Sequence, residues 1–316
     1  MKNLIKKILA VFSLEITILS KKSYYLRMGL NDNNSTILSD GKTIFLKDFG
    51  LEINIDNHEY IIKGLRFLYN LKNQVNAHFT FENNLFYVGI SDIKYNIQAF
   101  DQLYILNEVF IEGVYSIDTR KNFELIDIGM NVGVTSLFFA RQPQCVAIHA
   151  FEPFKLTYEQ AIVNINLNAN FSSKISTYNY GLGKENKTVT VTYDKDNKGS
   201  MGLNGVPEYL KEQSREIVDE NIIIKDVAEI LKPIITKINK SESQLILKMD
   251  CEGAEHDIFE SLDKANCLLY FNVIMVEWHY KKPEQIYRAL EKSGFTFIRF
   301  NPASNEAGMI YAFKNN

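Results

Sequence analysis

Asp127, Gly129, Asn131 and Gly133 occupy alternate positions in the run Asp127-Ile-Gly-Met-Asn-Val-Gly133. Glycines at that spacing let a main chain turn sharply and come close to a ligand, because they carry no Cβ. The acid discriminates between ligands. A dinucleotide loop reads G-x-G-x-x-G and faces a pyrophosphate. Here a carboxylate ends the preceding apolar run and would repel phosphate, while it would attract an ammonium or ribose hydroxyls. S-adenosylmethionine (SAM) has both and no phosphate, so the loop favours it over NAD.

Further acids follow apolar runs of the same kind. Glu152 closes Cys145-Val-Ala-Ile-His-Ala-Phe, about twenty residues past the glycines, where an acid can take both ribose hydroxyls. Asp250, Glu252 and Glu255 follow Leu245-Ile-Leu-Lys-Met, and Glu277 and His279 follow Phe271-Asn-Val-Ile-Met-Val. Like charges in one cleft cost stability unless something binds there. The roles divide as follows. Asp127, Gly129, Asn131 and Gly133 suit the amino-acid tail of SAM and a close backbone approach. Glu152 suits the ribose, and Tyr180 and Leu182 suit the adenine. Asp250, Glu252, Glu277 and His279 are left for the methyl group and its acceptor. A His or carboxylate poised near neutrality can take the proton of an attacking hydroxyl. His279 is the expected base, with Asp250 or Glu277 orienting it. Each of these residues also has a bland reading, as a solvated acid or a histidine closing a strand. Asp250, Glu277 and His279 are competent ligands for a divalent cation, but no tight ligand spacing marks a metal site.

These side chains need a frame in which strands end on one side. Leu125, Ile126 and Ile128 are too short a run for a helix and suit a strand buried on both faces. A helical pattern follows through Thr135, Leu137, Phe138, Phe139 and Ala140. From there strands and helices alternate. Strands are expected at Cys145–Phe151, Ile175–Asn179, Leu245–Met249 and Phe271–Val276, with helices at Leu156–Leu167, Val227–Ile238, Ala254–Leu262 and Pro283–Lys292. That is an α/β domain with a mostly parallel sheet, whose ligand crevice lies beyond the carboxyl ends of the strands. Phe295–Phe300 and Met309–Phe313 read as a closing antiparallel pair. Val189–Tyr193 reads as a strand off the main order, and the polar, glycine-bearing stretch Asp194–Asn221 as a mobile insertion.

The front of the chain reads differently. Turn signals at Asp40-Gly41, Asp56-Asn57 and Asn83-Asn84 each lie between strand-like runs, which suggests a β-rich accessory region over residues 1–98, with the α/β domain over 99–316. Ile97–Tyr115 has helical spacing, and Glu108, Glu112 and Tyr115 near its end could reach the loop or simply be packed and solvated. Met1–Lys22 starts with lysines before a short apolar run. Glu15 interrupts that run, so a helix with a basic start is expected rather than a leader or a bilayer span; contact with a membrane surface is the alternative use. A net charge of −3 offers nothing to a nucleic acid, and three scattered cysteines fit a reducing, cytoplasmic setting.

Four segments together resemble the FkbM-type SAM-dependent methyltransferases. They are Ile126-Asp-Ile-Gly-Met-Asn-Val-Gly-Val-Thr-Ser-Leu-Phe-Phe-Ala140, Ala150-Phe-Glu-Pro153, Leu247-Lys-Met-Asp-Cys-Glu-Gly-Ala-Glu255 and Val276-Glu-Trp-His279. The resemblance implies a seven-stranded class I (Rossmann-like) methyltransferase sheet with a reversed final hairpin. It implies O-methylation of a small-molecule or glycan acceptor, such as a polysaccharide precursor. The competing readings are a methyltransferase-fold binding protein without catalysis and a nucleotide-binding enzyme on a doubly wound sheet.

Overall fold

The computed structural model describes residues 25–194, 217–238, 242–300 and 307–314. The expected N-terminal helix lies outside them. The chain divides into two compact units, Met1–Asp92 with Asn96–Asn107 and Ile93–Tyr95 with Glu108–Asn316. The chain changes unit after Asp92, after Tyr95 and after Asn107, so residue 98, the boundary expected from sequence, lies within the first unit.

In the first unit, β1 (Ser35–Ile37), β2 (Thr43–Leu46) and β3 (Leu51–Asn54) form an antiparallel sheet in that order. The Asp40-Gly41 turn joins the first pair. The turn expected at Asp56-Asn57 is instead the start of a helix, α1 (Ile55–Lys63), followed by α2 (Leu65–Val75). Its buried residues, Ile55, His58, Ile61 and Ile62, recur at helical spacing, and Asp56 sits in the first turn, where an acid is favourable. That apolar stripe outweighs the local turn chemistry. Strands β4 (His78–Glu82) and β5 (Leu85–Ile90) do pair as a hairpin, with Asn83 and Asn84 both at positive φ as a two-residue turn demands. β6 (Ile93–Ile97) then leads to α3 (Phe100–Asn107). This helix is shorter than expected. It passes into a wider π-type turn at Glu108–Glu112 and stops before Gly113.

The second unit is built on seven strands: β7 (Asn122–Ile128), β8 (Cys145–Phe151), β9 (Ile175–Tyr178), β13 (Ser243–Met249), β14 (Val273–His279), β15 (Phe295–Phe300) and β16 (Ala307–Lys314). They lie in the order β15-β16-β14-β13-β7-β8-β9. β16 runs antiparallel to both neighbours, and the other pairs are parallel. This is the class I methyltransferase sheet. The chain moves outward from β7 through β8 to β9, then returns to β13 on the other side of β7. The strand order therefore reverses between β7 and β13, which is where an open α/β sheet forms its crevice.

Helices α4 (Val134–Ala140), α5 (Lys155–Asn166), α6 (Ala169–Ser172), α7 (Val227–Ile235), α8 (Glu255–Lys264) and α9 (Glu284–Lys292) connect these strands. One core gathers Ile126, Leu247, Val276 and Trp278 from the sheet with Leu231, Ile258, Phe259 and Leu290 from α7, α8 and α9. Between β9 and β13 the chain adds a small sheet of β10 (Gly181–Gly183), β12 (Ile217–Asp226) and β11 (Lys187–Asp194). The first residue and the last five of the expected insertion thus belong to strands, and the rest of it, residues 195–216, lies outside those described. Asp219 and Asn221 look loop-like in sequence but sit opposite Thr192 and Thr190, which donate to them across the ladder. Among the described residues no helix is long and apolar enough to cross a membrane.

Candidate active site

The glycine loop is shaped by its own main chain. Gly129 and Met130 donate their N–H groups to the Phe151 carbonyl at the end of β8, and Gly133 donates to Met130. Gly129, Asn131 and Gly133 have φ of +84°, +53° and +85°. A Cβ on Gly129 would stand 1.7 Å from the Asp250 carbonyl oxygen, so glycine is needed there for the approach of β13 as well as for φ. The Asn131 side chain accepts from the Val132 N–H at 2.7 Å, while its own N–H donates to Glu152 Oε2 at 3.0 Å.

Asp127 does not face the crevice. It is fully buried, with Oδ2 accepting from Ser136 Oγ at 2.6 Å and Oδ1 lying 3.3 Å from the Lys248 ammonium. The expected contact between its carboxylate and the SAM tail therefore gives way to a supporting role beneath the loop. The reason is register: Asp127 pairs directly with Lys248 on the neighbouring strand. Leu182 is likewise not available to a ligand, being buried in the main core. Tyr180 is half-buried, with its ring centroid 5.7 Å from those of Phe151 and Tyr178 and the Lys225 ammonium 3.9 Å above its ring.

Glu152 stands where sequence put it, at the end of β8 beside the loop. Its Oε1 accepts from the Phe154 N–H and its Oε2 from the Asn131 N–H, both at 3.0 Å. Burial pushes its pKa up to about 7, against the pull of those two N–H groups and of Lys248. Each oxygen retains a lone pair for a hydroxyl donor.

Across the loop, β13 and β14 bring together Asp250, Glu252, Glu277 and His279. The imidazole is the centre. Its Nδ1 donates to Glu255 Oε1 at 3.1 Å, and its Nε2 is 3.7 Å from Glu252 Oε2 and from Glu277 Oε1. Glu255 is fully buried at the start of α8 and also accepts from the N–H groups of Cys251 and Gly253. Glu252 and Tyr280, at the edges of the cluster, both hold positive φ, of +51° and +64°. Strained non-glycine backbone of this kind concentrates at functional sites. Tyr115, buried, donates to Asp250 Oδ2 at 3.4 Å.

Burial opposes a charge on His279, but the Glu255 hydrogen bond and the Glu252 and Asp250 carboxylates prevail and hold its pKa at about 10. Burial also opposes the charge on Glu255, and its bond to His279 reverses the balance, so its pKa falls. Glu252 and Glu277 are pushed the other way, to about 7 and about 8, by burial and by the neighbouring Asp250 carboxylate, with His279 pulling against both. Near neutral pH the imidazole is therefore already protonated, and the capacity to accept a proton lies with the carboxylates. This differs from the expectation that His279 is the base. The cause is Glu255, visible in the motif but not assigned to the site. Lys248 and Ser136 were missed too, since a lysine inside an apolar strand and a serine inside an apolar helix carry no sequence signal of function.

A reversed terminal hairpin, a glycine turn after β7 and an acid closing β8 define a class I methyltransferase. The chain belongs to the FkbM methyltransferase family, whose domain matches residues 127–298. It is 27% identical over 228 residues to the methyltransferase sdnD of Sordaria araneosa, covering 65% of this chain and 86% of that protein. It is 25% identical over 185 residues to Methyltransferase 1 of Beauveria bassiana (strain ARSEF 2860), covering 54% and 72%. Among solved structures, the FkbM methyltransferase of Methylobacillus flagellatus KT matches 67% of this chain and half of its own, at 13% identity and a TM-score of 0.40. The N-terminal domain of human METTL16, solved in complex with SAH, matches over 95% and 93%, at 12% identity and a TM-score of 0.37.

Proposed function

We propose that this methyltransferase uses S-adenosylmethionine to methylate a hydroxyl group of a sugar, a polysaccharide precursor or another hydroxylated metabolite. The observation that carries this reading is the abutment of two chemically different half-sites: Gly129 of the glycine loop lies against the main chain of Asp250, the first acid of the carboxylate cluster. The residues on the loop side fit the cofactor. Glu152 keeps free lone pairs for the ribose hydroxyls, and Tyr180 offers an aromatic edge for the base. When bound, SAM supplies a methyl group already activated by the sulfonium charge.

The protein's own task is then to hold an acceptor hydroxyl in line and remove its proton. Glu252 and Glu277 can accept that proton as a coupled pair. Protonated His279 is anchored on Glu255 through Nδ1, and its positive charge lies 3.7 Å from each of the two carboxylates through Nε2. The test is calorimetric titration with SAM, its demethylated product and NAD, followed by a screen of hydroxylated sugars and nucleotide sugars for SAM-dependent methylation. Binding of NAD in place of SAM would favour a nucleotide-binding enzyme. SAM binding without turnover on any acceptor would favour a binding protein.

A second reading is favoured by the way His279 is held. Its Nδ1 is anchored on a buried carboxylate, the usual support of a metal-ligating histidine. Donor atoms of Asp250, Glu252 and His279 all lie within 4.8 Å of one another. Were the imidazole to give up its proton, these three could hold a divalent cation that orients the acceptor oxygen. Turnover lost on chelation and restored by magnesium or manganese would establish that version.

A further inference from the structure

Among the described residues, Lys248 is the one buried lysine or arginine, and the proposed reaction does not use it. It lies near the carboxyl end of β13, in the run Leu245-Ile-Leu-Lys-Met, and is 2% exposed. A lysine is seldom buried without partners. Its Nζ donates to the Gly129 carbonyl at 2.7 Å and lies 3.3 Å from Asp127 Oδ1. The Tyr115 ring centroid is 5.4 Å away. The unequal distances matter. Asp127 Oδ1 is buried and has no hydrogen bond of its own, yet the ammonium makes its shorter contact with the loop carbonyl. The ammonium thus serves both the loop, through its hydrogen bond, and Asp127, through its charge.

From this arrangement we propose that Lys248 is a positioning residue for cofactor binding: its ammonium pins the Gly129 carbonyl over Asp127 and so fixes the turn that carries the Asn131 N–H to Glu152. The inference rests on the reading of Glu152 as the ribose ligand. The chain of contacts is continuous. Lys248 holds Gly129, the loop runs on through Asn131, and Asn131 donates to Glu152 Oε2. Lys248 also acts on Glu152 through its charge. The groups that bear on that carboxyl are the Phe154 and Asn131 N–H groups and Lys248, which favour its ionised form, and Asp127, which opposes it. Removing the ammonium should both loosen the loop and make Glu152 harder to ionise.

The experiment measures SAM affinity by calorimetry across a pH series, for the wild-type protein, Lys248→Met and the double variant Asp127→Asn/Lys248→Met. The double variant removes both buried charges, so it keeps the test alive if the single variant fails to fold; folding of each is checked by circular dichroism and thermal melting. The expected result is a folded variant that binds SAM on the order of tenfold to a hundredfold more weakly. In Lys248→Met the pH midpoint of binding should also move upward, while Lys248→Arg restores part of the affinity. Folded variants with wild-type affinity and an unmoved midpoint would overturn the role of Lys248. Failure of the wild-type protein itself to bind SAM would instead refute the underlying reading of the site.

Discussion

The main chains of Gly129 and Asp250 meet so closely that a methyl group on the glycine would overlap the Asp250 carbonyl oxygen, at 1.7 Å. One contact thus joins the end of the first strand of the sheet to the start of the acidic cluster. Gly129→Ala meets two penalties together. A left-handed conformation costs an L-residue about 1–2 kcal/mol, and neither of the two backbones can yield as a side chain would. A stability loss above about 2 kcal/mol is expected in urea unfolding, with weaker SAM binding. A variant with a wild-type midpoint would show that the two strands separate freely at this point.

On the proposed reading of the site, Glu152 should make cofactor binding depend on pH. Folding raises its pKa from 4.5 to about 7, chiefly by burial. The sign follows from the raised value. Its contribution to folding is fully present below the unfolded pKa and is lost as pH rises through about 7. Ribose hydroxyls donate best to the ionised carboxylate, so SAM should bind more tightly as pH rises through the same range. Calorimetry on wild type and Glu152→Gln checks this. The wild-type affinity should climb with pH and the variant's stay flat; parallel curves would remove Glu152 from the cofactor site.

Much of this frame could be read from the chain alone. Buried parallel strands are continuous apolar runs, and those ending at Asp127, Glu152, Asp250 and Glu277 announce both the sheet and the side on which it opens. The acids at their ends were legible for the same reason. The role of Asp127 was not, because its partner Lys248 is far away in sequence and only strand register brings them face to face. The state of His279 was hidden likewise, since it depends on how α8 aims Glu255. At Asp56-Asn57 a local turn signal lost to the apolar stripe of Ile55, Ile61 and Ile62, a competition decided by packing rather than by the dipeptide.

Glu255 should be the most costly acid in the cluster to remove. Its side chain is sealed from solvent and accepts from His279 and from two main-chain N–H groups. Breaking a buried pair by deleting one partner costs about 3–5 kcal/mol. Glu255→Ala should show a loss of that order in chemical denaturation. A near-neutral effect would mean that the imidazole finds another partner and that Glu255 does not hold it.

The proton acceptor can be separated from its neighbours by substitution. The double variant Glu252→Gln/Glu277→Gln should lower turnover by about 100- to 10,000-fold, the usual contribution of a general base, with SAM affinity little changed. His279→Gln should fall less, because the imidazole starts out protonated. The opposite ranking in steady-state assays would return the role of base to His279.

The central claim is that Glu152 and the glycine loop bind S-adenosylmethionine, and calorimetric titration of wild type and Glu152→Ala tests it most directly. One saturable site for SAM is expected. Ribose hydroxyls left without their acceptor should weaken the variant by about 1–3 kcal/mol, or roughly 5- to 150-fold. No heat from SAM at saturating concentration, or equal affinity in the two proteins, would contradict it.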